Sequence, residues 1–479
     1  MRPSSRTGSR GSIRVRRVHF EILGVAAFLA LPTGCLETGT AIASLRSDLS
    51  AVAPVGKVPD SGPRAASGPS ENDATADKPD PSLVVYSDEY WRALGDLDIA
   101  ASRALARGEP EVAFAEAVGL LAAGDYEEAA RIFTAMSTQA TDTPVAAASQ
   151  AMLATTLMHQ HKWEQLRDLS VTLNLPAVYQ PNVEELEPWG KAFAGLDPQA
   201  IAFPSEPVSV QLGISAVGTP SIRVRINGRD YNFWLDTGST LTVLSSTVAA
   251  EAGIAALGPE ILRVATFTGS AAVKPAVVKR MEIGPIVITN SPAMIMDASL
   301  MRLKEAGADA FRAGQSIDGI IGWDVIRQFA ITMDFASGTV VFKQPENLGT
   351  IGTSAQNLTW VGKPFVQVRT TRGETVQFTL DTGAQSTFVN DVVVKKVRAG
   401  TTSLDVRIFG IAANLGEKAR LIPALRLEID GKPLLMRDLI VYTRTSATLV
   451  ESDGILGSNV SRFGTITIDA TNGLFSIGE

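Results

Sequence analysis

Two short runs carry the residues with the clearest capacity for chemistry: FWLDTGST at 233–240 and FTLDTGAQ at 378–385. Each is an apolar, strand-like run that ends on a carboxylate, Asp236 or Asp381, followed at once by Thr-Gly. One such triplet is an ordinary turn sequence, because Asp and Gly are residues that turns prefer. Turn preference does not explain two copies set in longer matching segments. Two carboxyls held about 3 Å apart cannot both ionise, so they share a proton and combine an acid with a base around one water. Each would have to come from an equivalent position, and a duplicated segment supplies that.

The elements that must position the two acids repeat as well. SIRVRI, the turn NGRD and YNFWLDTGST form a predicted hairpin delivering Asp236. FVQVRT, the turn TRGE and TVQFTLDTGAQ do the same for Asp381. Asn227-Gly228 is a strong hairpin-turn signal. Farther on, DGIIG at 318–322 precedes WDVIRQFAITMDFASGTVVF, and DGILG at 453–457 precedes SNVSRFGTITIDATNGLFSI. The later Gly follows its Asp by 86 positions in the first copy (236 to 322) and by 76 in the second (381 to 457). Asp334 and Asp469 also repeat and read as turn residues, while Asp318 and Asp453 read as caps on the loop before the glycine.

Asp-Thr-Gly on an apolar strand, followed some eighty residues later by two aliphatics and a Gly, resembles one lobe of an aspartic protease. Two lobes in one chain resemble the pepsin-like arrangement, and their small size and simple hairpins resemble fused retropepsin-like subunits. The resemblance spans 205–479. It implies a mainly β fold: a bilobal, aspartic-protease-like pair of β-barrels with pseudo-twofold symmetry, preceded by a small all-α helical-hairpin domain. It also implies peptide-bond hydrolysis by a water held between Asp236 and Asp381, on an extended polypeptide lying between the lobes, with no metal or organic cofactor. Thr237 and Thr382 would cross-link the two loops through their hydroxyls. Gly238 and Gly383 would let the backbone turn sharply and point amides at the carboxylates. Ile320, Ile321 and Gly322, with Ile455, Leu456 and Gly457, would pack behind the loops.

The copies differ after the triplet, where Ser239 faces Ala384. In the family this Ser can donate a hydrogen bond to the adjacent carboxylate, which would bias the negative charge toward Asp236. Candidate flaps are 264–274, with Phe267 and Gly269 at the tip, and 406–421, with Phe409 and Gly410. Neither carries the tip tyrosine of pepsin-like enzymes.

The remaining sequence reads as a leader, a tether and a helical module. A length of 479 residues suggests roughly three domains. Arg2, Arg6, Arg10, Arg14, Arg16 and Arg17 precede the apolar run 20–31, which is too short for a comfortable membrane span and has the length of a signal-peptide core. It leads into LPTGC, which resembles a lipoprotein cleavage box and makes Cys35 a candidate lipidation site and membrane tether. The alternative is a plain secretory leader; either implies export to a bacterial periplasm or its membrane. The expected organisation is 1–35 leader, 36–82 disordered tether, 83–200 helical domain, 205–347 first lobe and 350–479 second lobe. Residues 111–136 place apolar residues at helical spacing on both sides of Gly124-Asp-Tyr126 and resemble a tetratricopeptide repeat, with 145–173 a weaker second unit. Such a module either packs against the lobes or binds a protein partner. No basic stripe follows a phosphate backbone, so nucleic acid is not an expected partner. His19, His159 and His161 lie outside the repeats, which excludes a histidine triad or zinc site built from the C-terminal half alone, and the lone cysteine excludes an intrachain disulfide. Two rivals stay open: a peptide-binding scaffold that keeps the fold without cutting, and lobes that merely anchor a working helical module. Both triplets are intact, which speaks against a decayed site.

Overall fold

The computed structural model describes residues 88–478 apart from 140–142, 170–179, 216–217, 267–268, 302–316, 347–355, 411–413, 443–448 and 451, together with two short strands, Glu21–Gly24 and Ala27–Phe28. Cys35, the expected tether 36–82 and the tip residue Phe267 lie outside the described residues.

Helices come first. Glu109–Ala122 and Tyr126–Gln139 form the expected hairpin, reversing at Gly124 with φ +85°. Phe114 and Phe133 are buried between them with ring centroids 5.7 Å apart, and Ala129 is buried beside them. Pro144–His159 follows. Its start is set by Thr143, whose hydroxyl accepts from the Ala146 N–H at 3.2 Å, and by Pro144 in the first turn. VAAASQAMLATTLMH is apolar or small on every face, and this helix is accordingly buried all round.

The β-rich part closes into two barrels. In the first, the ring runs Gly269–Ile283, Ile286–Met296, Thr242–Ser245, Gly319–Ile321, Arg229–Leu235 and Pro220–Ile226, closing where Met281 pairs with Ile226. In the second it runs Asn414–Ile429, Lys432–Tyr442, Phe388–Asn390, Gly454–Leu456, Thr375–Leu380 and Pro364–Thr370, closing where Arg369 pairs with Glu428. Alternation decides the faces: Ile222, Val224 and Ile226 point into the first barrel while Arg223 and Arg225 face solvent. Closure removes the sheet edges that an open six-strand sheet would leave unpaired.

A third, five-stranded sheet joins the lobes. Leu474–Ile477 and Ile466–Asp469 of the second lobe continue into Ala330–Asp334, Thr339–Lys343 and Val208–Gln211 of the first, with Ile466 opposite Met333. Asp334 and Asp469 sit at its turns, accepting the N–H groups of Ala336 and Asn472 at 2.9 and 3.1 Å.

The helices rest on both lobes. Arg327 of the first lobe donates to the His159 carbonyl at 2.6 Å. Trp360 of the second stacks on the His159 ring, with centroids 3.6 Å apart, and Gln377 donates to the Gly95 carbonyl at 3.3 Å.

Candidate active site

Each acid is held by the strand that the repeat predicts. Leu235 and Leu380 end their strands, and the next residue, Asp236 or Asp381, donates its N–H to the carbonyl of Ile321 or Leu456, both at 3.1 Å. Those carbonyls belong to the Gly-ending strands, which run parallel to the acid-bearing ones, with Gly319 opposite Phe233 and Gly454 opposite Phe378. After each strand Gly322 and Gly457 pass so close to the neighbouring loop that a Cβ would lie 2.6 Å from backbone atoms of Leu241 or Ser386. Any larger residue would push the strand off the loop it supports. Asp318 and Asp453 brace the same unit from outside, accepting the N–H of Asn232 at 2.9 Å and of Gln377 at 3.0 Å.

The two loops meet. Thr237 N–H donates to the Thr382 hydroxyl at 3.0 Å, and Thr382 N–H to the Thr237 hydroxyl at 3.0 Å. Each hydroxyl then donates to the strand-end carbonyl of the other lobe, Leu380 at 2.9 Å and Leu235 at 2.7 Å. All four groups are buried and satisfied, so the loops are locked to each other through polar bonds that water cannot replace. Above this lock the Asp381 carboxyl lies against Gly238, where a Cβ would stand 2.7 Å from Asp381 Cγ.

Asp236 and Asp381 are both fully buried. Oδ1 of Asp236 accepts from Gly238 N–H at 2.8 Å, and Oδ1 of Asp381 accepts from Ala384 N–H at 2.9 Å. Both Oδ2 atoms are buried, and neither is bonded to a group outside the pair. Burial, and then the neighbouring charge of Asp381, hold the Asp236 carboxyl well above the usual carboxylate range. Burial pushes Asp381 up to about 6, against the Ala384 N–H, a hydrogen bond from Asp236 and the Lys363 ammonium, which pull it down. Two buried carboxyls this close cannot both ionise readily, so the pair holds one shared proton over a range of pH.

The hydrogen bond expected from Ser239 to Asp236 is not made. The Ser239 hydroxyl donates to the Leu241 carbonyl at 2.8 Å rather than to Asp236. The chain doubles back after Gly238, so the carbonyl two residues on comes within reach, while Asp236 already accepts from a backbone N–H. Lys363 was not singled out by the sequence reading; the signal available was the matching Gly-X-Pro of the two lobes, 218–220 and 362–364, where only the second copy carries a cation.

The candidate flaps are hairpins. Thr266 pairs with Gly269 in the first and Phe409 with Asn414 in the second, with Gly410 ending its strand. The two N-terminal strands add to their outer edges: Glu21–Gly24 runs parallel to Arg407–Gly410, and Ala27–Phe28 antiparallel to Ala265–Thr266.

Residues 222–325 match a family model described as aspartyl protease; the match covers the Asp236 strand through the first Gly-ending run. Among solved structures, an aspartic proteinase from Irpex lacteus is 14% identical, covering 56% of this chain and 96% of that one, with a TM-score of 0.34. A retropepsin-like aspartic protease from Rickettsia conorii is 12% identical, covering 30% of this chain and 92% of that one, with a TM-score of 0.19. No curated protein matches. With one lobe matched and the second repeating it strand for strand, the fold is a mainly β, aspartic-protease-like pair of barrels preceded by helices.

Proposed function

We propose that the protein is an aspartic endopeptidase in which Asp236 and Asp381 activate one water between them. The observation that carries this reading is the juxtaposition of the two carboxyls: the Asp381 carboxyl abuts Gly238, beside Asp236, on loops cross-bonded through Thr237 and Thr382. Charged Asp381 takes a proton from the water as its oxygen attacks the scissile carbonyl carbon, and protonated Asp236 donates to the carbonyl oxygen. When the tetrahedral adduct collapses, the C–N bond breaks, Asp381 passes its proton to the departing nitrogen, and Asp236 recovers its own. Dry surroundings strengthen both transfers, because charge in the pair is not screened by bulk water.

The substrate in this reading is a polypeptide in extended form. Support comes from the outer edges of the hairpins Leu262–Thr266 and Thr402–Gly410, each of which accepts an extended segment of the chain's own N-terminus by main-chain pairing. Export, with Cys35 as a lipid attachment point, belongs to the same proposal and is supported by the leader sequence alone.

The test is incubation of the intact protein with a complex peptide library, beside Asp236→Asn and Asp381→Asn. Cleavage by the wild type and a fall of about 10²–10⁴-fold or more in each variant is expected. A folded wild type that cuts nothing, or variants that cut as well as it does, would reject the reading in favour of a silent peptide-binding scaffold.

A further inference from the structure

Each lobe bonds a short helix to its acid-bearing loop. In the first lobe Trp323–Ile326 follows Gly322, and in the second Ser458–Phe463 follows Gly457. An arginine stands five positions after each glycine, Arg327 (327 − 322) and Arg462 (462 − 457). The start of the first helix holds the loop: Trp323 N–H donates to the Ser239 carbonyl at 2.7 Å and Asp324 N–H to the Thr240 carbonyl at 3.2 Å. Ser239 N–H in turn donates to the Asp236 carbonyl at 3.2 Å, so the run 236–240 and this helix form one bonded unit. The second lobe repeats the contact, from Ser458 N–H to the Ala384 carbonyl at 2.8 Å.

The far ends of the two helices differ. Arg327 closes the first, its own N–H donating to the Trp323 carbonyl at 3.0 Å, and its Nη2 donates to the His159 carbonyl at 2.6 Å. His159 ends the helix Pro144–His159, and a helix end leaves its last carbonyls without partners inside the helix, with a partial negative charge that favours a cation. The next residue, Gln328, donates through Nε2 to the Asp324 carbonyl at 2.8 Å and to Gln199 Oε1 at 2.5 Å, in the segment that leads from the helices into the first lobe. Arg462 instead stays within its own lobe: it is exposed, lies 4.8 Å over the Phe463 ring and has its Nη2 3.8 Å from Met436 Sδ.

We propose that Arg327, backed by Gln328, is a positioning residue through which the N-terminal helices set the Asp236 loop, so that they act on turnover as well as on stability. The inference rests on the reading of Asp236 and Asp381 as the reacting pair. A helix of one turn has no stability of its own, so its placement follows from what its two ends are bonded to. Removing the outer anchor frees the end that Arg327 closes, and the carbonyls of Ser239 and Thr240 shift with the other end. A displacement of about 1 Å at the acid is enough to slow the chemical step without a matching loss of substrate binding.

The experiment is steady-state cleavage of one library peptide by the full-length protein and by Arg327→Met, Gln328→Leu, Arg327→Lys and Arg462→Met. Circular dichroism selects variants folded at the assay temperature. Arg327→Met is expected to lower kcat by about tenfold or more with KM changed less than about twofold, and Gln328→Leu to act in the same direction. Arg327→Lys, which keeps a donor for the His159 carbonyl, should recover most of the loss, and Arg462→Met should match the wild type. A role in stability alone would lower the melting temperature and leave kcat of the folded enzyme unchanged. Wild-type kcat in folded Arg327→Met would therefore overturn the proposal, as would an equal fall in Arg462→Met; should Arg327→Met not fold, Gln328→Leu carries the same test. Hydrogen exchange at the amides of 236–240 needs no turnover and should be faster in the Met and Leu variants; wild-type protection there would also overturn it. A wild type that cuts nothing fails the peptidase reading instead, while the exchange measurement still decides whether Arg327 governs the loop.

Discussion

At Gly238 the opposing lobe leaves no room for a side chain, and this sets a sharp residue-scale expectation. A methyl group there would stand 2.7 Å from Asp381 Cγ, inside any real contact distance. Gly238→Ala should lower kcat/KM by about 100-fold or more, because a displacement of about 1 Å is enough to spoil near-attack geometry. Kinetics on a cleaved library peptide check this; an unimpaired variant would contradict the described contact. The threonine lock gives a second expectation. Thr237→Val and Thr382→Val each leave a buried N–H and a buried carbonyl of the other lobe unpaired, costing about 1–3 kcal/mol or more apiece in urea denaturation. Since both belong to one network, the double variant should lose less than the two losses added. In pH terms, turnover requires Asp381 ionised and Asp236 protonated. The acidic limb should therefore lie near pH 6, above that of a carboxylate with an ordinary value, and activity should fall again as Asp236 ionises. The midpoints belong to the pair rather than to either acid.

At the scale of elements, the hairpin, the acid-bearing strand and the Gly-ending strand could be read directly, because each is a local run with its own period and turn chemistry. Asn227-Gly228 announced a turn, and the described chain reverses there with φ of 49° and 80°. The register between the strand ending at Leu235 and Gly319–Ile321 is a long-range parallel pairing; only its repetition in the second lobe made it visible. What the sequence hid is polar and buried. Asp324 and Arg327 in WDVIR look like the solvent face of a short helix, yet Asp324 is buried and Arg327 is half-buried against the helices. Arg327 reaches the His159 carbonyl, and burial pushes Asp324 up to about 7 while the Arg327 charge pulls it down. A carboxyl harder to ionise folded than unfolded contributes its full stability below its unfolded value and loses it as pH rises through the folded one. Asp324→Asn should accordingly flatten the stability profile from about pH 4 to 7 and raise stability at pH 7 by roughly 2–4 kcal/mol in denaturant titrations. An unchanged slope would place that pH dependence elsewhere.

At the scale of the molecule, the shared sheet through Ile466 and Met333 and the helices that touch both barrels hold the lobes in register, together with the threonine lock. His159 is central to the helical contact, donor-bonded by Arg327 through its carbonyl and stacked on Trp360 through its ring, with Tyr126 against both rings. Burial, and then the Arg327 charge, hold its imidazole neutral, so the stack carries no cation against Arg327. Removing residues 88–199 would uncover Trp360, Gln377 and Arg327 together, and the truncated chain should melt lower and lose cleavage. Full activity in the isolated lobes would make the helices dispensable. The central claim is that two acids share one proton around one water, and affinity for a tetrahedral mimic tests it most directly. A peptide inhibitor bearing a hydroxyl on tetrahedral carbon at the scissile position should bind the wild type at least about 100-fold more tightly than the matching plain peptide. That advantage should vanish in Asp236→Asn; equal binding of the two ligands by the wild type would contradict it.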